Sequence, residues 1–342
     1  VIVRDGVTLG EGWHRRRGEE HAEAGALRDA RERGNDVRGA TAFVTLEPCD
    51  HVGATPPCSL ALIDAGIARV VVGALDPNPK TAEAGMRRLL NARLNVELVD
   101  DPAAHALVER FAWTIARDLP YITLKMAMSL DAFVTSRPGV REQLTGSAAQ
   151  RRVQRMRAEN DAVMVGAGTV RVDDPLLTVR PHVSRRKPYT RIVVCEREPI
   201  PVTARVLATP DDAPTGAYAP TIVLAPAGAR EAFSALAAVA DVHFVGDDDS
   251  RELDLTAAMR ALRALGITTI LCEGGPTLAA RLIERGLVAR ALWFIAPVML
   301  AGADAVPALA GANPYKLDGW TLGSREPVGD DMLLVASPCF PG

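Results

Sequence analysis

Aromatic residues are scarce in this chain: seven Phe, four Tyr and four Trp make up 4% of it. Proteins that grip single-stranded nucleic acid line a basic groove with such rings, and a net charge of −3 supplies no basic excess either. Nucleic acid is therefore not an expected partner. Cysteines number only five, at 49, 58, 195, 272 and 339. An odd and widely spaced set is no secreted disulfide framework; it predicts a reducing, cytoplasmic compartment in which thiols pack, react or bind metal. No run approaches the ~20 apolar residues of a membrane-spanning helix, and the start lacks a charged stretch followed by an apolar one, so no membrane partner is expected. A repeat of fixed period is missing, as is the G-x-G-x-x-G fingerprint of dinucleotide-binding sheets.

What is present is an ordinary folding composition, 48% hydrophobic and 24% charged over 342 residues. That length predicts two domains. The segment "VIVRDGVTLG" reads as two strands about the Asp5-Gly6 turn. A helix over "EEHAEAGALRDARERG" follows, stopped by Gly34. After it come a strand at "ATAFVTLE", a helix at "PCSLALIDAGI", a strand at "ARVVVGALD", a helix at "TAEAGMRRLLNAR" and a strand at "LNVELVD". This alternation predicts an α/β sandwich on a largely parallel sheet. A helix from about Pro102 to Arg117 ends it, and a second α/β pattern starts near Tyr121, so the boundary is expected between 117 and 121.

His21-Ala22-Glu23 opens the first helix, and Cys49 and Cys58 lie beyond the next strand. Zinc takes His nitrogen and Cys sulfur, and a catalytic zinc keeps one position for water. One His and two Cys leave that position open, and an adjacent carboxylate that is no ligand, Glu23, suits the proton transfers of hydrolytic deamination. The rival reading is a closed structural site with His51 as fourth ligand. It is disfavoured because His51 is too near Cys49 for easy tetrahedral closure, and Glu23 would have no purpose.

The stretch "GEEHAEAGALRDA", the wide Cys-x8-Cys of "TLEPCDHVGATPPC" and the turn "DPNP" at residues 76–79 resemble the bifunctional riboflavin-biosynthesis deaminase/reductase family. The resemblance implies a cytidine-deaminase-like α/β/α sandwich over residues 1–117, with zinc on His21, Cys49 and Cys58 and with Glu23 as proton shuttle. The implied substrate is a diaminopyrimidinone ribosylamine phosphate, a small phosphorylated pyrimidine. Family members carry a helix and an Asn-Pro-rich segment before the first strand, so an upstream segment is expected here.

In the second half, "AVMVGAGTVRVDDPLLTVR" and "LCEGGPTLAARLIERG" read as strand, glycine turn and helix. Glycines at strand ends let backbone N–H groups approach a phosphate, and a helix opening at Pro276 offers its positive end; tight structural turns are the alternative. With "LKMAMSLDA", these stretches resemble the family's reductase domain. That resemblance implies a dihydrofolate-reductase-like α/β domain over 120–342, using NADPH to reduce the ribosyl group to a ribityl chain. Ala127, Thr169, Asp173, Gly275, Pro276 and Thr277 fall where the family contacts NADPH. Arg157, Leu177, Arg180 and Glu273 fall where it contacts substrate. Two arginines could fork onto a sugar phosphate, Glu273 could take a ribose hydroxyl, and Lys125 and Asp131 are further pocket candidates against the reading of a surface Lys and a turn Asp. Departures are visible. Ala132 replaces a Gly, a Trp is missing from "REQLTG", Glu142 brings a charge that would repel phosphate, and "VARALWF" lacks an acid pair. They leave open a deaminase whose second domain is only a binding or scaffold module. A homo-oligomer is compatible with either reading.

Overall fold

A computed structural model of the chain describes residues 1–15, 18–51, 56–79, 81–181, 187–211, 213–311 and 319–339. They form two units, Val1–Arg117 and Asp118–Gly342.

The first unit runs β1 (Ile2–Arg4), β2 (Val7–Gly10), α1 (Ala22–Glu32), β3 (Thr41–Leu46), α2 (Cys58–Asp64), β4 (Arg69–Ala74), α3 (Ala84–Asn91), β5 (Asn95–Leu98) and α4 (Pro102–Arg117). The sheet order is β2-β1-β3-β4-β5, with β3, β4 and β5 parallel and β1 antiparallel to both its neighbours. Alternation along β4 turns Val70 and Val72 inward, where they meet Ala42 and residues of α1, α2 and α3 such as Ala26, Leu62 and Leu89. The opposite face takes α4, and Gly73 is what lets it approach. A Cβ there would stand 2.8 Å from that of Ala104. The helices on both faces make this an α/β/α sandwich.

The second unit begins with β6 (Tyr121–Met128), β7 (Phe133–Thr135), α5 (Ser147–Glu159), β8 (Ala162–Gly166), α6 (Ala167–Asp173) and β9 (Thr190–Val194). It continues with β10 (Ile222–Pro226), α7 (Ser234–Ala237), β11 (Asp241–Val245), α8 (Leu255–Ala264), β12 (Thr269–Cys272), α9 (Pro276–Glu284) and β13 (Val288–Ile295). It closes with β14 (Val306–Pro307), β15 (Trp320–Val328) and β16 (Asp331–Pro338). The large sheet has the order β11-β10-β9-β8-β12-β6-β13-β16-β15, and β16 alone runs against the others, antiparallel to both β13 and β15. Near-continuous buried runs in β6, β8 and β12 reflect a sheet covered on both faces. In such sheets ligands gather outside the carboxyl ends of the strands, and β6, β8 and β12 end side by side.

Candidate active sites

In the first unit, α1 starts immediately after His21, whose backbone carbonyl accepts the Gly25 N–H. This places His21 at the helix mouth and Glu23 in the first turn. The segment that follows β2 passes flush against the helix: a Cβ on Gly12 would lie 2.2 Å from the Ala22 carbonyl oxygen. Cys49 follows β3, and Cys58 is the first residue of α2, its N–H donating to the Cys49 sulfur at 3.4 Å. His21 Nδ1 lies 3.4 Å from both sulfurs. Donors around a tetrahedral zinc, with Zn–S of ~2.3 Å and Zn–N of ~2.0 Å, stand about 3.5 Å apart, so the three atoms fit that ion. Among the described residues they are the cluster able to hold a metal, and His51 is exposed outside it. Thr55 of the T-P-P-C motif lies outside the described residues.

The electrostatics agree with the geometry. A hydrogen bond from Cys58, then His21, holds the Cys49 thiol below its ordinary range, while the same sharing, with burial and Glu23, pushes Cys58 up. Burial raises the Glu23 carboxyl, although its hydrogen bond with Cys58 and the His21 charge work against this. A carboxyl so placed can both take and return a proton.

Sequence reasoning passed over two neighbours. The His14 ring meets His21 edge-on at 5.1 Å and its Nδ1 lies 3.0 Å from the Glu20 carbonyl oxygen. Glu47, directly before the Pro-Cys step, is 4% exposed and accepts four backbone N–H groups. Its place in the motif was the available signal.

In the second unit a cleft of about 940 Å³ opens at the strand ends, within the range of a nucleotide pocket. Lys125, Ala127, Thr169, Asp173, Glu273, Gly275, Pro276 and Thr277 all line it. Gly275 caps α9 with Pro276 as its first residue, so free N–H groups face the cleft. A Cβ on Gly168 would meet nothing within 4 Å, and this glycine too borders the cleft. Burial raises the Asp173 carboxyl, partly offset by Arg141. The space, the glycines and the helix start suit a dinucleotide.

Several expected roles need correction. Arg157 does not present an open fork. Its Nε and Nη2 donate to Glu273 at 2.5 and 2.9 Å, and Nη1 donates to the Thr178 carbonyl at 2.8 Å. Burial alone would raise Glu273, but Arg157 and then Lys125 outweigh it and leave the carboxyl below its ordinary range. Lys125 is no surface residue; burial lowers its ammonium despite Glu273, and Phe294 lies 5.9 Å away. Asp131 is not among the residues lining this cleft; it accepts from the Ser129 hydroxyl and from the Leu300 and Ala301 N–H groups. Glu142 does line the cleft, with its carboxylate accepting from the N–H and hydroxyl of Ser136. Leu177 is buried with φ of 52°. Arg180 is exposed, its Nε bonded to the Thr178 hydroxyl.

Comparison with known proteins assigns these features to relatives. Residues 1–74 match the profile of the cytidine and deoxycytidylate deaminase zinc-binding region, and residues 120–334 match the RibD C-terminal domain. The riboflavin biosynthesis protein RibD of Escherichia coli is 38% identical over 89% of this chain and 82% of its own length. That of Aquifex aeolicus is 36% identical over 88% and 80%. Acinetobacter baumannii RibD superposes with a TM-score of 0.78 at 32% identity, covering 99% of this chain and 91% of that one. A Thermotoga maritima diaminohydroxyphosphoribosylaminopyrimidine deaminase/5-amino-6-(5-phosphoribosylamino)uracil reductase gives 0.78 at 27% identity, with coverage of 99% and 91%.

Proposed function

We propose, from the premise that this chain belongs to the RibD family of riboflavin-biosynthesis deaminase/reductases, that residues 1–117 deaminate and residues 120–342 reduce. The enzyme is bifunctional. It hydrolyses the amine from the ring of a phosphorylated diaminopyrimidinone ribosylamine, then reduces the ribosyl group to ribityl with NADPH. The observation that carries the first step is the three-donor set, His21, Cys49 and Cys58, with Glu23 beside it.

Zinc held there supplies a water of lowered pKa. Glu23 takes the proton of the attacking water at its carboxylate and hands it to the departing amine, which its raised proton affinity favours. His14, edge-on to His21, orients that ring. In the reductase cleft NADPH supplies the hydride. We assign Ala127, Thr169, Asp173 and residues 275–277 to the cofactor, and Lys125, Glu273, the Leu177 backbone and Arg180 to substrate. Arg157 acts through Glu273, keeping that carboxylate ionised and fixed against the cleft.

A deaminase with a passive second domain is not favoured. The reductase profile covers residues 120–334, and Ala132 adopts a φ of 64°, the left-handed turn its Gly counterpart would take. Five unpaired thiols support a cytoplasmic setting. Among the described residues no helix is long and apolar enough to cross a membrane. We expect neither nucleic acid nor membrane as partner, and a homo-oligomer fits the same reading. Separate assays of the two steps test the assignment. Glu23→Gln should keep its zinc and reductase activity while deamination falls ~10²–10⁴-fold. Full deamination by that variant, or an active enzyme without zinc, overturns it.

A further inference from the structure

The carboxylate of Glu47 is buried beside the thiolate loop and takes no part in the chemistry described so far. Its two oxygens divide the work. Oε2 accepts the N–H groups of Asp76 at 3.3 Å and Glu83 at 2.9 Å, the two ends of the loop between β4 and α3. Oε1 accepts those of Gly85 at 3.0 Å and Met86 at 3.1 Å, in the first turn of α3. Those N–H groups lack partners within the helix, and a charge there meets the positive end of its dipole. The contact is close. A Cβ on Gly85 would stand 1.8 Å from the Pro48 carbonyl oxygen, so only glycine lets α3 lie against the Pro48-Cys49 step.

One residue past Cys49 the same helix is gripped again. Asp50 Oδ1 accepts from the Arg88 guanidinium of α3, and also from the Ser59 hydroxyl of α2 at 2.6 Å. Cys49 therefore sits between two carboxylates that are both bound to α3, a helix contributing no residue to the donor set. A free turn bearing a thiolate would sample many sulfur positions. A turn pinned on both sides holds one.

We propose that Glu47 is a positioning residue for the metal site: by closing the 76–83 loop and the start of α3 on itself, it fixes where the Cys49 sulfur stands. The proposal rests on the zinc reading above. Residues that orient metal ligands without touching the ion typically change metal affinity ~10–100-fold when replaced.

Glu47→Gln is the informative substitution. Its amide keeps one accepting oxygen but turns an NH₂ group toward two backbone donors, while preserving size. In the zinc-loaded full chain, transfer of zinc to a chromogenic chelator should be at least tenfold faster for the variant. The cobalt-substituted protein should show a displaced thiolate-to-metal charge-transfer band. Zinc loss and a cobalt spectrum equal to wild type, even with a lowered Tm, overturn the proposal and leave Glu47 a folding residue alone. Should the variant not fold, hydrogen exchange of the wild type decides. Stripping zinc should speed exchange at the Asp76, Glu83, Gly85 and Met86 amides together, and unchanged exchange there overturns the coupling. Wild-type protein that takes up no zinc refutes the site reading itself, a result distinct from either of these.

Discussion

Single residues in the second unit carry costs that can be measured. Ala132 holds a φ of 64°, its N–H bonded to the Ser129 carbonyl and its own carbonyl to the Ala308 N–H. For an L-residue with a Cβ this conformation costs about 1–2 kcal/mol, partly offset because glycine loses more entropy on folding. Ala132→Gly should stabilise the protein by ~0.5–1 kcal/mol, read as a higher urea midpoint at unchanged m. One residue earlier, hydrogen bonds from Ser129, Ala301 and Leu300 lower the Asp131 carboxyl from 3.8 to about 2. The folded state thus favours the ionised form. Its stabilisation is complete above the unfolded value and is lost as pH falls through about 2. Asp131→Asn should flatten the acid limb of the stability curve between these two pH values and leave neutral pH behaviour to the lost hydrogen bonds alone. For Glu273→Gln the expectation is larger: an unpaired buried Arg157 typically costs ~3–5 kcal/mol, and reductase activity should fall while deamination persists.

At the scale of elements, the deaminase site depends on the segment just after β2 lying against the start of α1. Gly12→Ala would drive a Cβ to 2.2 Å from the Ala22 carbonyl oxygen, so this segment or the helix must shift. We expect a loss of ~1–3 kcal/mol, the usual cost of overpacking, together with weaker zinc retention, because His21 and Glu23 move with that turn. Equal zinc retention would show that the approach serves packing alone. The strand-helix alternation of this unit was legible from periodicity and turn residues, and so was the grouping of His21, Cys49 and Cys58. Spacing of chemically matched residues survives folding as proximity. The role of Glu47 was not legible, because its partners are backbone N–H groups 29 to 39 residues downstream, which no side-chain pattern announces. Arg157 misled for a related reason. A guanidinium in a phosphate-binding frame reads as an anion fork until the fold supplies Glu273, 116 residues away, as its partner. The hairpin β15–β16 also escaped the reading, since β15 is mostly exposed and lacks the inward alternation that marks a strand.

For the molecule as a whole, two units with separate cores make two ligand-specific stabilities the natural expectation. The donor set lies entirely within Val1–Arg117 and the cleft entirely within Asp118–Gly342. A ligand that binds only the folded form stabilises its host by RT ln(1 + [L]/Kd), about 2.7 kcal/mol at a hundredfold excess over Kd. Spread over a unit of roughly 150–250 residues, where 1 kcal/mol moves Tm by ~2–4 °C, NADPH at that concentration should raise one calorimetric transition by ~5–10 °C. Chelation of zinc should lower the other and abolish deamination, with NADPH-dependent reduction of the deaminated substrate unchanged. A single transition displaced by either ligand would instead mean that the two units unfold as one, and then zinc loss should cost reductase stability as well. The same scan on Glu23→Gln, which keeps all three zinc donors, should reproduce the wild-type zinc shift, separating the binding of the metal from its use.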